Sequence, residues 1–193
     1  MTQSITTRLV GATLLCLAVG LSGCAAKTRY GDARGVETVT NQFGSTDLQM
    51  IAESMTRSML NTPLASGETR PIMTVQEVKN KTSEYIDTRA ITDSIRVELQ
   101  KSGRVRFAVD AAAMDQQIEE LKRQQSDYYD AKKSVETGKM VGAAYRIEGN
   151  ITSIVKEAKG VKDVYYKFSL QVWNVQNGLL EWADEKEIRK TTS

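Results

Sequence analysis

The 193-residue chain contains no histidine. That removes the commonest general base and the commonest zinc ligand. Cysteine is scarce, with only Cys16 and Cys24, and proline equally so, with only Pro63 and Pro71. No apolar run approaches the roughly 20 residues that a membrane-spanning helix needs. Charge of one sign is also missing: 26 Lys and Arg against 24 Asp and Glu leave a formal +2, so nothing global draws the chain to nucleic acid or an anionic surface. The glycine-rich signatures GxxxxGK[ST] and GxGxxG and the nucleophile elbow GxSxG are absent as well. These absences leave no residue set for an enzymatic role and imply no cofactor and no metal.

What is present begins at the amino end. Arg8 is the single charge before position 24, and residues 9–21 (LVGATLLCLAVGL) form an apolar run of 13. That length suits the hydrophobic region of a secretory signal. Leu21, Ser22, Gly23 and Cys24 follow, and this LSGC string resembles the lipobox of bacterial lipoproteins. The resemblance implies that residues 1–23 are removed and that the Cys24 sulfur carries lipid. The alternative is an ordinary cleaved signal with an incidental cysteine. Cys16 would leave with the signal, so the mature chain of about 170 residues would have no disulfide, and the loss of Arg8 would bring the charge from +2 to +1. Ala25 and Ala26 follow the cysteine where an aspartate would mark inner-membrane retention. The expected place is therefore the outer membrane, lipid-anchored on its periplasmic face.

Residues 24–45 read as the lipidated terminus and a short, proline-free tether. About 20 residues reach at most roughly 70 Å when fully stretched and about 25 Å as a coil. A globular domain over 46–193 is expected to open with a helix, with Thr46 and Gln49 as a capping box and Leu48, Ile51, Ala52, Met55 and Met59 at helical spacing. That methionine-bearing stripe reads as core. A buried strand over 72–78 and a polar loop over 80–83 precede a helix over 88–101 that carries Ile91, Ile95 and Leu99 and ends at Gly103. Val105, Phe107 and Val109 alternate as a strand, and Asp110 caps a helix with Met114, Ile118 and Leu121. Residues 122–133 read as a loop, and 134–142 as a short helix. Three strands close the chain, the clearest carrying Val164, Tyr166, Phe168, Leu170 and Val172, with Asn177-Gly178 as a hairpin turn. The order α-β-α-β-α-α-β-β-β indicates an α+β single domain, a mixed sheet of four to five strands flanked by helices.

Few residues suggest chemistry. Glu119 and Glu120 are neighbours on a helix and point apart, so they read as a solvated face. Glu181, Asp184, Glu185 and Glu187, interleaved with Lys186, Arg189 and Lys190, read as an edge strand guarded by charge. Tyr165 and Trp173 share the polar face of their strand with Lys167 and Gln171; packing under a helix is favoured over a partner surface.

The segments YGDARGVETVTNQFGSTDLQMIAESMTRSML, VKNKTSEYIDTRAITDSI, AAYRIEGNITSIVK and DVYYKFSLQVWNVQNGLLEWADEKEIRK resemble the LpoB-type activators of penicillin-binding proteins. The resemblance covers about residues 28–193 and extends more distantly to the TolB N-terminal domain and CsgG-type lipoproteins. It implies an outer-membrane lipoprotein, acting as a monomer, that docks on the accessory domain between the two catalytic domains of a class A penicillin-binding protein and stimulates peptidoglycan synthesis. The wider likeness implies an alternative, a scaffold or secretion-associated lipoprotein that self-assembles. Of the family's functional positions only Cys24 carries over, and the partner-binding residues stay unknown. Well-known members have a long proline-rich tether, which this chain lacks.

Overall fold

The computed structural model describes residues 28–193, so the signal segment and Cys24 lie outside the described residues. The chain divides into two compact units, Met1–Asp32 and Ala33–Ser193. All regular structure among the described residues belongs to the second: α1 (Ser45–Leu60), a single turn α2 (Pro63–Ser66), β1 (Ile72–Val75), β2 (Lys79–Lys81), α3 (Thr88–Lys101), β3 (Arg106–Phe107), α4 (Ala111–Gln124), β4 (Tyr145–Ala158), β5 (Val161–Asn174) and β6 (Leu180–Thr192). The second unit includes residues 33–45, which fold back on α1 and the sheet.

Strict alternation in β5 organises the sheet. Val164, Tyr166, Phe168, Leu170 and Val172 are all buried, whereas the residues between them are half-buried on the other face. β4, β5 and β6 form an antiparallel meander, with β1 running parallel to β4 and β3 parallel to β1, in the order β3-β1-β4-β5-β6. Lys159 and Gly160, at φ 50° and 78°, make the two-residue turn between β4 and β5, whose positive φ values match strand twist. At the other hairpin only Gly178 has positive φ; the Asn174 side chain steadies that loop by accepting from the N–H groups of Gln176 and Asn177 at 3.0 and 3.3 Å. Gly149 has a different purpose, since a Cβ there would stand 2.2 Å from the carbonyl oxygen of Ser169.

The core lies between one face of this sheet and the pair α1–α3. Ile51, Met55 and Met59 from α1 and Ile91, Ile95 and Leu99 from α3 meet Met73, Ile147, Ile151 and the inward row of β5. The methionines of α1 are therefore core. Each such side chain contributes on the order of 1.5–3 kcal/mol on burial.

Several local expectations are corrected. Thr46 and Gln49 form no capping box: the N-cap is Gly44, whose N–H donates to Asp47 Oδ2 at 2.8 Å. The Thr46 hydroxyl and the Gln49 amide reach instead to residues 33–37. Residues 79–81 are strand, because the chain bends after Gln76 donates to Ile147 O and then rejoins β4 as β2, parallel to it. That makes six strands. β3 keeps only Arg106 and Phe107, and α4 runs on to Gln124. No helix forms over 134–142. Gly138 takes φ 73° there, and Ser134 Oγ donates to the carbonyls of Gln124 and Asp130, competing with helical backbone bonds.

Candidate functional site

Four side chains of the second unit have clearly shifted titration. Hydrogen bonds from Gln124 and the charge of Arg123 hold Glu120 below the ordinary carboxylate range. Thr191 and Arg189 do the same for Asp163. The hydrogen bond to Glu187 raises the Tyr165 phenol, and burial, followed by the bond to Glu84, raises that of Tyr166 further. Each shift moves its group away from neutrality, whereas a catalytic acid or base needs the reverse. Among the described residues no cluster of three or more acidic, His or Cys side chains could hold a metal ion. Glu119 is exposed and Glu120 pairs with Arg123 on the same helix. The pair is a solvated face.

Surfaces remain. Alternation sends Tyr165, Lys167, Ser169, Gln171 and Trp173 of β5 to the face opposite the core. Across the strands Tyr165 stands between Ile154 and Arg189, Lys167 between Thr152 and Glu187, and Trp173 beside Arg146. The Tyr165 hydroxyl donates to Glu187 Oε1 at 2.5 Å. A shallow hollow at the end of this face is lined by Arg146, Glu148, Trp173, Asn174, Val175 and Gly178, all from β4, β5 and the loop between β5 and β6. Both aromatics thus pack across strands, not under a helix. Charge on this face is paired: Lys167 with Glu185 at 3.6 Å, Arg189 with Asp163 at 3.0 Å and Arg146 with Glu148 at 3.4 Å. β6 is the sheet edge, and its alternating charges blunt it as the sequence suggests.

On the outside of the helical layer a groove of about 860 Å³ runs between α1 and α3. Leu48, Ala52, Leu60 and Val97 supply apolar walls, and Glu53, Arg57, Asp93 and Glu98 the rim. Thr56 also lines it; its buried hydroxyl has no hydrogen-bond partner. A third exposed apolar set lies after α4: Tyr128, Tyr129, Val135, Met140 and Val141. The groove was not legible beforehand, because the spacing that builds it belongs to two helices separated by residues 61–87 and their relative placement is tertiary.

Fold and surfaces together define a small α+β domain whose described residues include an open sheet face and an apolar groove between α1 and α3. The chain belongs to the peptidoglycan-synthase activator LpoB family, whose sequence profile matches residues 47–188. Its structure is similar to the LpoB C-terminal domain from Salmonella enterica, with 17% identity and a TM-score of 0.45 over 74% of this chain and 98% of that one. The corresponding domain from Escherichia coli gives 18%, 0.45 and the same coverages. PelC from Paraburkholderia phytofirmans, a dodecamer, gives 17% and 0.34 over 65% of this chain and 76% of its own. No curated protein matches the chain. Among the described residues no helix is long and apolar enough to cross a membrane.

Proposed function

We propose that this protein is an outer-membrane lipoprotein, anchored through Cys24 after removal of residues 1–23, that binds and activates a class A penicillin-binding protein as a monomer. The observation that carries the reading is the family match, which spans nearly all of the folded domain from α1 to β6. Activation follows from differential affinity: a domain that binds the active arrangement of the synthase more tightly than the resting one shifts the population toward it. The contact is the accessory domain between the glycosyltransferase and transpeptidase domains, and peptidoglycan synthesis is what it regulates.

The test reconstitutes a class A synthase from the same cell with the full lipidated chain. Glycan-chain length and crosslinking are expected to rise together, while the chain alone polymerises nothing. Unchanged products at saturating protein would refute activation. Cys24→Ser tests the anchor separately: the wild type takes up labelled palmitate and the variant does not. A wild type without label would refute the lipoprotein reading.

A further inference from the structure

We propose that residues 33–40 form a releasable strap that stores tether length for the anchored domain; this rests on the lipid anchor and inner-membrane partner proposed above. The segment leading into α1 is held by two clasps of different kinds. The outer clasp lies at the surface. Gln49 Nε2 donates to Ala33 O at 2.7 Å, the Glu37 N–H donates to Thr46 Oγ1 at 2.7 Å, and Glu37 Oε2 accepts from Ser45 N and Oγ at 2.9 and 3.1 Å. No residue from 33 to 40 is buried, and Val36 and Val39 are 77% and 85% exposed. Apolar burial therefore adds nothing to this clasp, and hydrogen bonds at a surface exchange with water at small net cost.

The inner clasp is the opposite. Asn41 is buried, and its carbonyl accepts from the Tyr166 hydroxyl at 3.3 Å. The Phe43 ring meets Tyr166 edge-on at 5.8 Å, and its N–H donates to Glu84 Oε2 at 3.0 Å. Lys190 Nζ donates to Gln42 O at 2.6 Å and to buried Asp47 at 2.9 Å. Pulling on the chain would thus open the outer clasp first and stop at Asn41.

The gain in reach is large relative to what precedes it. From Cys24 to Ala33 there are about nine residues, which span at most roughly 30 Å. Release to Asn41 brings this to about 17 residues and roughly 57 Å. Glu37 is the keystone, because its carboxylate sits on the first N–H of α1, where negative charge is favoured. Gly44 makes room for it: a Cβ there would stand 2.2 Å from Glu37 Oε2, while the backbone, at φ −140°, accepts alanine. Gly44→Ala therefore displaces the Glu37 carboxylate without straining the N-cap backbone.

The experiment places spin labels at Val36→Cys and Met50→Cys in the full lipidated chain on vesicles and measures their distance distribution. The parent should give one narrow distance with a minor long component; Glu37→Ala and Gly44→Ala should each raise that component at least fivefold. Identical distributions in all three would overturn the strap, whatever the synthase assay gives. A second arm deletes five residues between Ala26 and Asp32 and measures wall synthesis in cells: activity should fall, and Glu37→Ala on the same shortened chain should restore it at least threefold. Opening in the label experiment with no restoration in cells would overturn the role as a length reserve. Stimulation of the purified synthase by the parent chain reads the underlying function independently.

Discussion

α3 and α4 have the same 14-residue length, and each begins at an aspartate whose carboxylate accepts from the first turn. Each carries an apolar stripe. Yet α3 buries Thr88, Ile91, Thr92, Ile95 and Leu99, and α4 buries nothing. The difference is position in the fold. α3 lies beside α1 over the face of the sheet that bears the β5 row, so its stripe completes a closed core. Met114, Ile118 and Leu121 of α4 remain half-buried, outside that core, and Gln117 lines an open hollow with Ile72 and Arg106 at the thin β3 edge. An amphipathic pattern specifies a helix with an apolar side; what that side meets depends on the rest of the chain.

The largest expected effect lies in α3. Leu99→Ala should destabilise the second unit by about 2–5 kcal/mol, since Leu99 is wholly buried and the cavity left behind adds to the lost transfer energy. Urea denaturation of the full chain measures it. The matching Leu121→Ala in α4 should cost less than about 1 kcal/mol. Equal costs would mean that α4 belongs to the same cooperative core.

Next come two neighbours that face opposite ways. Tyr166→Phe removes the donor to half-buried Glu84 Oε1 at 2.5 Å and should cost about 1–3 kcal/mol, because the carboxylate is left short of a partner. Tyr165→Phe, on the open face, should cost under about 0.5 kcal/mol. The pair also differs in alkali. Burial raises the Tyr166 phenol above its ordinary value near 10.0, so the folded state holds that proton more tightly than the unfolded chain. The associated stability is complete below pH 10 and declines as pH rises above it. Parent and Tyr166→Phe stability curves should therefore converge in alkali; parallel curves from pH 8 to 11 would contradict the assignment.

The third comparison concerns the caps. Asp87 accepts from the N–H groups of Arg89 and Ala90, and Asp110 from that of Ala113. Asp87→Ala and Asp110→Ala should each cost about 1 kcal/mol. Asp110 also pairs with Arg96 at 3.1 Å, so its replacement should loosen the join between α3 and α4. Hydrogen exchange should then rise across α4 in Asp110→Ala and across the first turn of α3 in Asp87→Ala. A uniform rise in both would show one cooperative unit in place of two.

Strand and helix identity was legible where pattern and stereochemistry agree. The five-residue alternation of β5, the Asp110 cap and the left-handed Gly103, at φ 70°, are local statements, and local sequence carries them. The Lys159-Gly160 turn was not legible, because lysine in a left-handed conformation has no strong signal and only the paired strands on either side impose it. The expected helix over 134–142 failed because side-chain competition and Gly138 outweighed a weak apolar spacing. The surfaces were the least legible: nothing near Trp173 in the chain says that Arg146 will stand opposite it.

By itself the sequence determined the first long helix, the helices at 88–101 and after Asp110, the closing run of three strands, the inward row of β5, the absence of histidine and the family to which the chain belongs. All of these rest on residue identity and on spacings of a few positions. Only the tertiary structure decided which amphipathic face is core and which stays half-open, that residues 33–45 fold onto the domain, and that Glu84 and Phe43 meet buried Tyr166 at one junction. Those contacts join positions 41 to 123 residues apart in the chain, and such pairings depend on how the sheet and α1 dock, which no local pattern encodes.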